Sequence, residues 1–246
     1  YKDNTGLTIG TVAAVGTLSS PSGGAAASTV GPLSGITTVA GTSNGAVVVQ
    51  AGGLLTVDQA IATTPGTAGV GGAVTLEATT GGITLTAANS GTITTTGNGA
   101  NAGGEVYVYN KASGNITLGK AITAKGGTGG GGGVVTVLNA DTAGTIAVDA
   151  VIDVSKDGGG TDGSILLKAG SNITEGASGG VKGDSEGKLL AYSVGGKVLL
   201  DTTANNLMAT AAFKTDTTLA STNNGTVTYK DNTGLTIGTV AAVGTL

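Results

Sequence analysis

The chain has 246 residues, 48 of them glycine, with 2% aromatic and 11% charged residues and a formal net charge of −4. It has no cysteine, histidine or arginine. That rules out a disulfide framework or thiolate metal site and argues against nucleic-acid binding. One phenylalanine and one methionine are too few to anchor a globular core. The regular β-branched residues and a mean hydropathy of +0.28 argue equally against a disordered glycine-rich chain.

Residues 1–18 read YKDNTGLTIGTVAAVGTL, and residues 229–246 repeat the same letters at an offset of 228 residues. Self-similarity at a fixed period marks an array. The expectation is one full repeat, 1–228, and the opening of the next, 229–246, within one continuous segment, 1–246. Because the copied segment opens at Tyr1, the chain reads as a window on a longer protein. No stretch approaches 18 continuous apolar residues, so no membrane-spanning helix is expected.

Within the repeat, apolar residues alternate with threonine in short runs bounded by glycine and asparagine, the pattern of half-buried strands. The runs come in threes. Val74-Thr75-Leu76, Ile83-Thr84-Leu85 and Ile93-Thr94-Thr95 form one set. Val106-Tyr107-Val108, Ile116-Thr117-Leu118 and Ile122-Thr123-Ala124 form the next, and Val135-Thr136-Val137, Ile146-Ala147-Val148 and Ile152-Asp153-Val154 a third.

Following the first strand predicts an inward ladder of Val47, Val74, Val106, Val135, Ile165, Val198 and Val227. A second ladder follows two residues on: Val49, Leu76, Val108, Val137, Leu167, Leu200 and Tyr229. The spacing gives seven coils of about 30 residues per repeat, each a turn of an all-β, three-sided parallel β-helix (β-solenoid). Burying each ladder residue is worth roughly 1.5–3 kcal/mol. Gly81-Gly82, Gly114, Gly144 and Gly234 fall at corners, and Asn115, Asn172 and Asn206 are expected directly before strand two. Glu77, Lys168, Asp201 and Lys230 are expected outward, the last three on successive coils. Tyr1 and Tyr229 are both expected at the third position of strand one. Two protruding loops are expected, near 18–35 and 176–188, with Glu175 at an apolar position just before the second.

The segments GGAVTLEATTGGITLTA, SGNITLGKAITAKGG and SVGGKVLLDTTANNL, with GTVTYKDNTGLTIGTV, resemble the repeats of filamentous-haemagglutinin-like, two-partner-secretion exoproteins. The resemblance covers nearly the whole chain. It implies a right-handed parallel β-helix, export to the bacterial surface or medium, and a role as the shaft of a fibrous adhesin. The partners it implies are neighbouring repeats, other shafts in a bundle, and a host or cell-surface receptor or glycan. A purely structural filament or sheath protein is the alternative.

Enzymes also use this fold, but they need clustered carboxylates with a strong base or cation. Asp149 and Asp153 could form an acid pair across a corner; a solvated corner is the plainer reading, and the chain is read as no enzyme. Asp157 and Asp162 in KDGGGTDGSI faintly suggest a calcium repeat but supply too few oxygens. The run Gly129 to Gly133 lacks the ending of a phosphate loop. Outward threonines, Thr84, Thr117, Thr174 and Thr236 on strand two with Thr75, Thr136 and Thr228 on strand one, could order water as in ice-binding solenoids. Ala147 and Met208 interrupt the strand-two array. Asn115, Asn172 and Asn224 begin glycosylation sequons. No catalytic, cofactor or metal residue, and no cofactor, is assigned.

Overall fold

A computed structural model describes residues 1–12, 17–18, 28–29, 33–38, 45–87, 90–202, 204–216 and 225–240. The chain winds into a β-solenoid of three parallel sheets, with no helix among the described residues. Sheet one stacks nine strands: Lys2–Asp3, Val47–Ala51, Val74–Ala78, Val106–Asn110, Val134–Asn139, Ser164–Ala169, Lys188–Ser193, Thr210–Thr215 and Thr236–Ile237. Sheet two stacks eight: Leu7–Ile9, Leu55–Val57, Ile83–Leu85, Ile116–Leu118, Ile146–Val148, Ile173–Glu175, Val198–Leu200 and Val227–Tyr229. Sheet three stacks six: Ile36–Thr37, Ile61–Ala62, Ile93–Thr94, Ile122–Thr123, Val151–Asp153 and Gly180–Lys182. Six turns therefore carry strand on all three sides.

Pairing is in register, so like residues stack on like. Sheet three lines the core with Ile36, Ile61, Ile93, Ile122, Ile152 and Val181, one per turn. Sheet two contributes Leu55, Ile83, Ile116, Ile146 and Ile173, all fully buried. Because the side-chain period along a strand is two, this register keeps the apolar residues of these strands inside and their threonines outside.

The sequence expectation holds through Ile165 and then slips by one side. The inward ladder of sheet one continues through Leu189 and Ala211, and the second through Ala191 and Phe213. Val198 and Val227, with Leu200 and Tyr229, lie in sheet two. The cause is the segment 176–188. It does not protrude as a loop: Gly180–Lys182 completes the third side, pairing with Val151–Asp153 and burying Val181. A strand with one apolar residue among glycines has little intrinsic propensity; its neighbours on the sheet impose it. Later turns are tighter. Leu207 bridges to Lys182 on the third side, and Met208, expected outward on strand two, is fully buried in the core.

The duplicated letters consequently sit differently at the two ends. Lys2–Asp3 joins sheet one and Leu7–Ile9 sheet two. In the second copy, Tyr229 pairs with Leu200 in sheet two, and Thr236–Ile237 joins sheet one. Local structure is preserved all the same. Asp3 Oδ1 accepts from the Thr5 amide (2.7 Å) and hydroxyl (2.5 Å), and Asp231 Oδ1 accepts from those of Thr233 (2.8 and 2.6 Å).

Glycine marks the places where backbones press together. A Cβ on Gly82, at φ +87°, would lie 2.1 Å from the Asn115 carbonyl oxygen, and one on Gly132 1.7 Å from that of Val154. The other expected loop begins as an antiparallel ribbon, with Thr11 opposite Ser34 and Thr17 opposite Thr29; residues 19–27 and 30–32 lie outside the described residues.

Leu118, stacked between Leu85 and Val148 at the centre of sheet two, is expected to lose about 2–5 kcal/mol on truncation to alanine. Thr117→Ala, on the same strand but facing out, is expected to stay within about 1 kcal/mol. Urea unfolding of the two variants checks the contrast.

Candidate functional site

Three outer faces are open to partners, and their chemistry differs. Sheet two presents Thr8, Thr56, Thr84, Thr117, Ala147, Thr174, Leu199 and Thr228 in successive turns. The threonine array is real, but its members differ from expectation: Thr228 belongs to it, Thr236 lies in sheet one, and the interruptions are Ala147 and Leu199. Sheet three offers Thr37, Ala62, Thr94, Thr123, Asp153 and Lys182.

Sheet one is the distinctive face. Its outward columns read Val48, Thr75, Tyr107, Thr136, Leu166, Leu190, Ala212 and, two residues on, Gln50, Glu77, Tyr109, Leu138, Lys168, Tyr192, Lys214. The aromatic and leucine residues form one strip. Leu138 and Leu166 are 9% and 1% exposed although they point outward. Tyr107 and Tyr109 lie with ring centroids 5.8 Å apart. Burial, then the neighbouring Tyr109 and Glu77, raises the Tyr107 hydroxyl above its ordinary value.

Lys168, on the turn of Leu166, and Lys214, two turns further on, place their ammonium groups 5.6 and 4.7 Å from the Tyr192 ring centroid, a cation–π arrangement. The Tyr192 hydroxyl donates to Asp216 at 3.3 Å. At the opposite end Gln50 Nε2 donates to Glu77 Oε2 at 2.7 Å. The strip is thus acidic at one end and basic at the other. Sequence reasoning placed Lys168 beside Asp201 and Lys230. Lys168 instead lies between Leu138 and Tyr192, while Asp201 and Lys230 follow the strands of sheet two.

Of the residues weighed for chemistry, Asp153 and Asp162 have partners of their own, and Asp149 and Asp157 are exposed. Asp153 Oδ1 accepts from the Ser155 amide (2.9 Å) and hydroxyl (2.6 Å), and Lys182 Nζ stands 3.9 Å from its other oxygen. Asp149 is exposed at the preceding corner, in a shallow open groove of about 670 Å³ lined also by Thr84, Thr117, Lys120 and Ser178. Asp162 gives both oxygens to backbone amides, of Lys156 and Glu186, each at 2.7 Å; Asp157 is exposed. The amides of Gly129, Gly130, Gly132 and Gly133 donate to backbone carbonyls. Asn115 and Asn172 cap the following turn through the Thr145 and Lys197 amides, at 3.0 and 2.9 Å. Asn206 departs from its expected place: it is buried near the third side, bridging the Val181 amide and the Leu200 carbonyl. Asn224 lies outside the described residues.

Two buried polar devices escaped the sequence reading. Asn110 donates to Asn139 Oδ1 at 2.9 Å, and Asn139 Nδ2 reaches the Gly114 and Thr145 carbonyls. Thr63 and Thr95, both inside, donate to Gly72 and Gly104 at 2.6 and 3.1 Å. Each is a strand-end polar residue repeated one turn apart, a signal visible in the register alone. Glu175, 8% exposed on the inward side of sheet two, avoids an uncompensated buried charge because its carboxylate accepts from the Thr202 amide at 2.8 Å.

Together the fold and its surfaces define a parallel β-solenoid whose turns stack on one another. No family model, curated protein or solved structure matches the chain.

The last described turns titrate. Burial raises the Asp231 carboxyl, but hydrogen bonds from the Thr233 hydroxyl, the Met208 amide (3.0 Å), the Thr233 amide and the Tyr229 hydroxyl (2.8 Å) outweigh it and lower the pKa below 3.8. A depressed folded-state pKa contributes stability that is present above the ordinary carboxylate value and lost as pH falls through the folded one. Exchange of the Met208 amide is therefore expected to lose protection below about pH 3.8, and Asp231→Asn to remove that dependence, read by hydrogen exchange.

Proposed function

We propose that the chain is a shaft segment of a large secreted or cell-surface fibrous adhesin built from tandem repeats, and not an enzyme. The observation that carries the structural part is the unbroken lateral pairing of nine, eight and six strands over one continuous apolar interior. Such a stack transmits force along backbone ladders perpendicular to the strands.

The adhesive part rests on the resemblance of the GGAVTLEATTGGITLTA and LDTTANNL segments to filamentous-haemagglutinin-like repeats. The ribbon that opens at Thr11–Val12 and Leu33–Ser34, leaving the shaft between sheets two and three, supports it as a carrier of contacts. A bacterial surface or extracellular location follows from the same resemblance. The second reading is a filament without receptor binding.

Sheet two advances seven turns between Leu7 and Val227. At about 4.8 Å per turn, a 228-residue repeat adds roughly 35 Å to the shaft. Proteins with one, two and three repeats are expected to appear in electron micrographs as rods of constant width that lengthen by this step; beads of growing diameter would refute the shaft. Incubation with a panel of neutral and acidic polysaccharides is expected to give no turnover. Turnover abolished by Asp149→Asn or Asp153→Asn would establish an enzyme instead.

A further inference from the structure

The first turns of sheet one carry a group of polar side chains at the corner toward sheet two. Lys2, Gln50 and Glu77 stack in successive turns of one outward column. Two residues further along each strand runs a corner column of Asn4, Gly52, Thr79 and Lys111. The amides of Gly52, Thr79 and Lys111 donate to Asp3, Ala51 and Ala78, so the ladder continues to the corner. Gly52 leaves a gap in that column; a Cβ there would strike the Asn4 carbonyl oxygen.

The result is a slot of about 400 Å³ between the two columns. Strand and turn spacings set its walls roughly 7 Å apart and its length at about 14 Å along the shaft. The volume falls within the range of small-molecule sites, about 300–1,000 Å³.

The slot offers uncommitted hydrogen-bonding groups of both kinds. Gln50 Nε2 donates to Glu77 Oε2 at 2.7 Å, which leaves Gln50 Oε1 and Glu77 Oε1 as acceptors. The Asn4 carboxamide, the Thr79 hydroxyl and the Lys111 ammonium engage no other group among the described residues. Lys2 and Lys111 balance Asp3 and Glu77, so the lining has no net charge.

We propose that this slot binds a neutral oligosaccharide laid along the shaft. A sugar hydroxyl both donates and accepts. Neighbouring hydroxyls can therefore take a hydrogen bond from Lys111 while giving one to Glu77. The outward column continues past Glu77 with Tyr109. An aromatic ring there presents its electron-rich face to the C–H groups of a sugar that runs on along the axis.

Other ligand classes fit the slot less well. An anion meets Glu77 and Asp3, and a metal ion meets two lysines. A peptide strand needs free backbone groups, and the amides along this wall are spent on the ladder. The proposal goes beyond the shaft reading, which rests on strand stacking, and the two fail separately. Rods that bind no sugar would sink the slot alone, and beads that bind sugar would sink the shaft alone.

The test is titration of the chain with cellotriose, maltotriose, mannotriose and galactotriose, followed by amide NMR. At least one is expected to bind with a dissociation constant of about 1 mM, as suits a site open on one side. It should shift the backbone amides of Gly52 and Thr79 together with the side-chain amides of Asn4 and Gln50. Glu77→Ala and Lys111→Ala each remove a charged hydrogen-bonding group and should weaken binding about tenfold. Thr79→Tyr places a ring in the slot from an exposed position and should abolish binding. Lys188→Ala, four turns away on the same sheet, should leave it unchanged. The shift map of the wild-type chain needs no variant, so it decides the matter even if one of them fails to fold. No shift with any of the four sugars at about 20 mM, shifts that gather elsewhere, slot variants that bind like the wild type, or tighter binding of trigalacturonate would each overturn the proposal.

Discussion

Everything in this molecule depends on in-register stacking of parallel strands. Each strand takes its hydrogen-bond partners from the turn below and the turn above, and the register sets Ile on Ile and Thr on Thr. No turn can bury its own inner face. Core, corners and surfaces all follow from that one constraint. The isoleucine column of sheet three exists because every turn contributes one residue to it. The glycines persist at corners because the adjacent backbone occupies the space a side chain would need.

Stacking also explains what was legible in the sequence. The first five turns could be read directly, since Val74, Ile83 and Ile93 and their successors stand at regular spacing with strong β-formers. The reading failed where the strand was specified by its neighbours. Gly180-Val181-Lys182 has the composition of a loop, and only the pairing with Val151–Asp153 makes it a strand. Missing it moved Val198, Val227 and Met208 one side around the solenoid. The outer strip of sheet one was invisible for a related reason: Tyr109, Leu138 and Lys168 are scattered in sequence and become neighbours only once the turns are registered. The same is true of Asn110 with Asn139 and of Thr63 with Thr95, whose buried hydrogen bonds recur from turn to turn.

The two kinds of position have different obligations. Inward residues and corner glycines are constrained by contact with the turns on both sides. Outward residues touch their column neighbours and solvent, and can carry any chemistry compatible with a strand. The three faces differ accordingly: one is an array of threonines, one a short column that ends in Asp153 and Lys182, and one a strip of tyrosine and leucine that carries Glu77, Lys168 and Lys214. A shaft of this kind offers surface that can differ from side to side while the interior stays the same.

The duplicated letters show how such a structure is put together. Asp-Asn-Thr-Gly makes the same aspartate-anchored turn in both copies, yet the strands around it join different sheets. A short strand in this chain therefore does not contain its own address. It receives one from the turn already in place beside it, as a course of bricks takes its bond from the course below. Position is copied along the axis by templating: a turn is laid against another turn, on whichever side that neighbour stands.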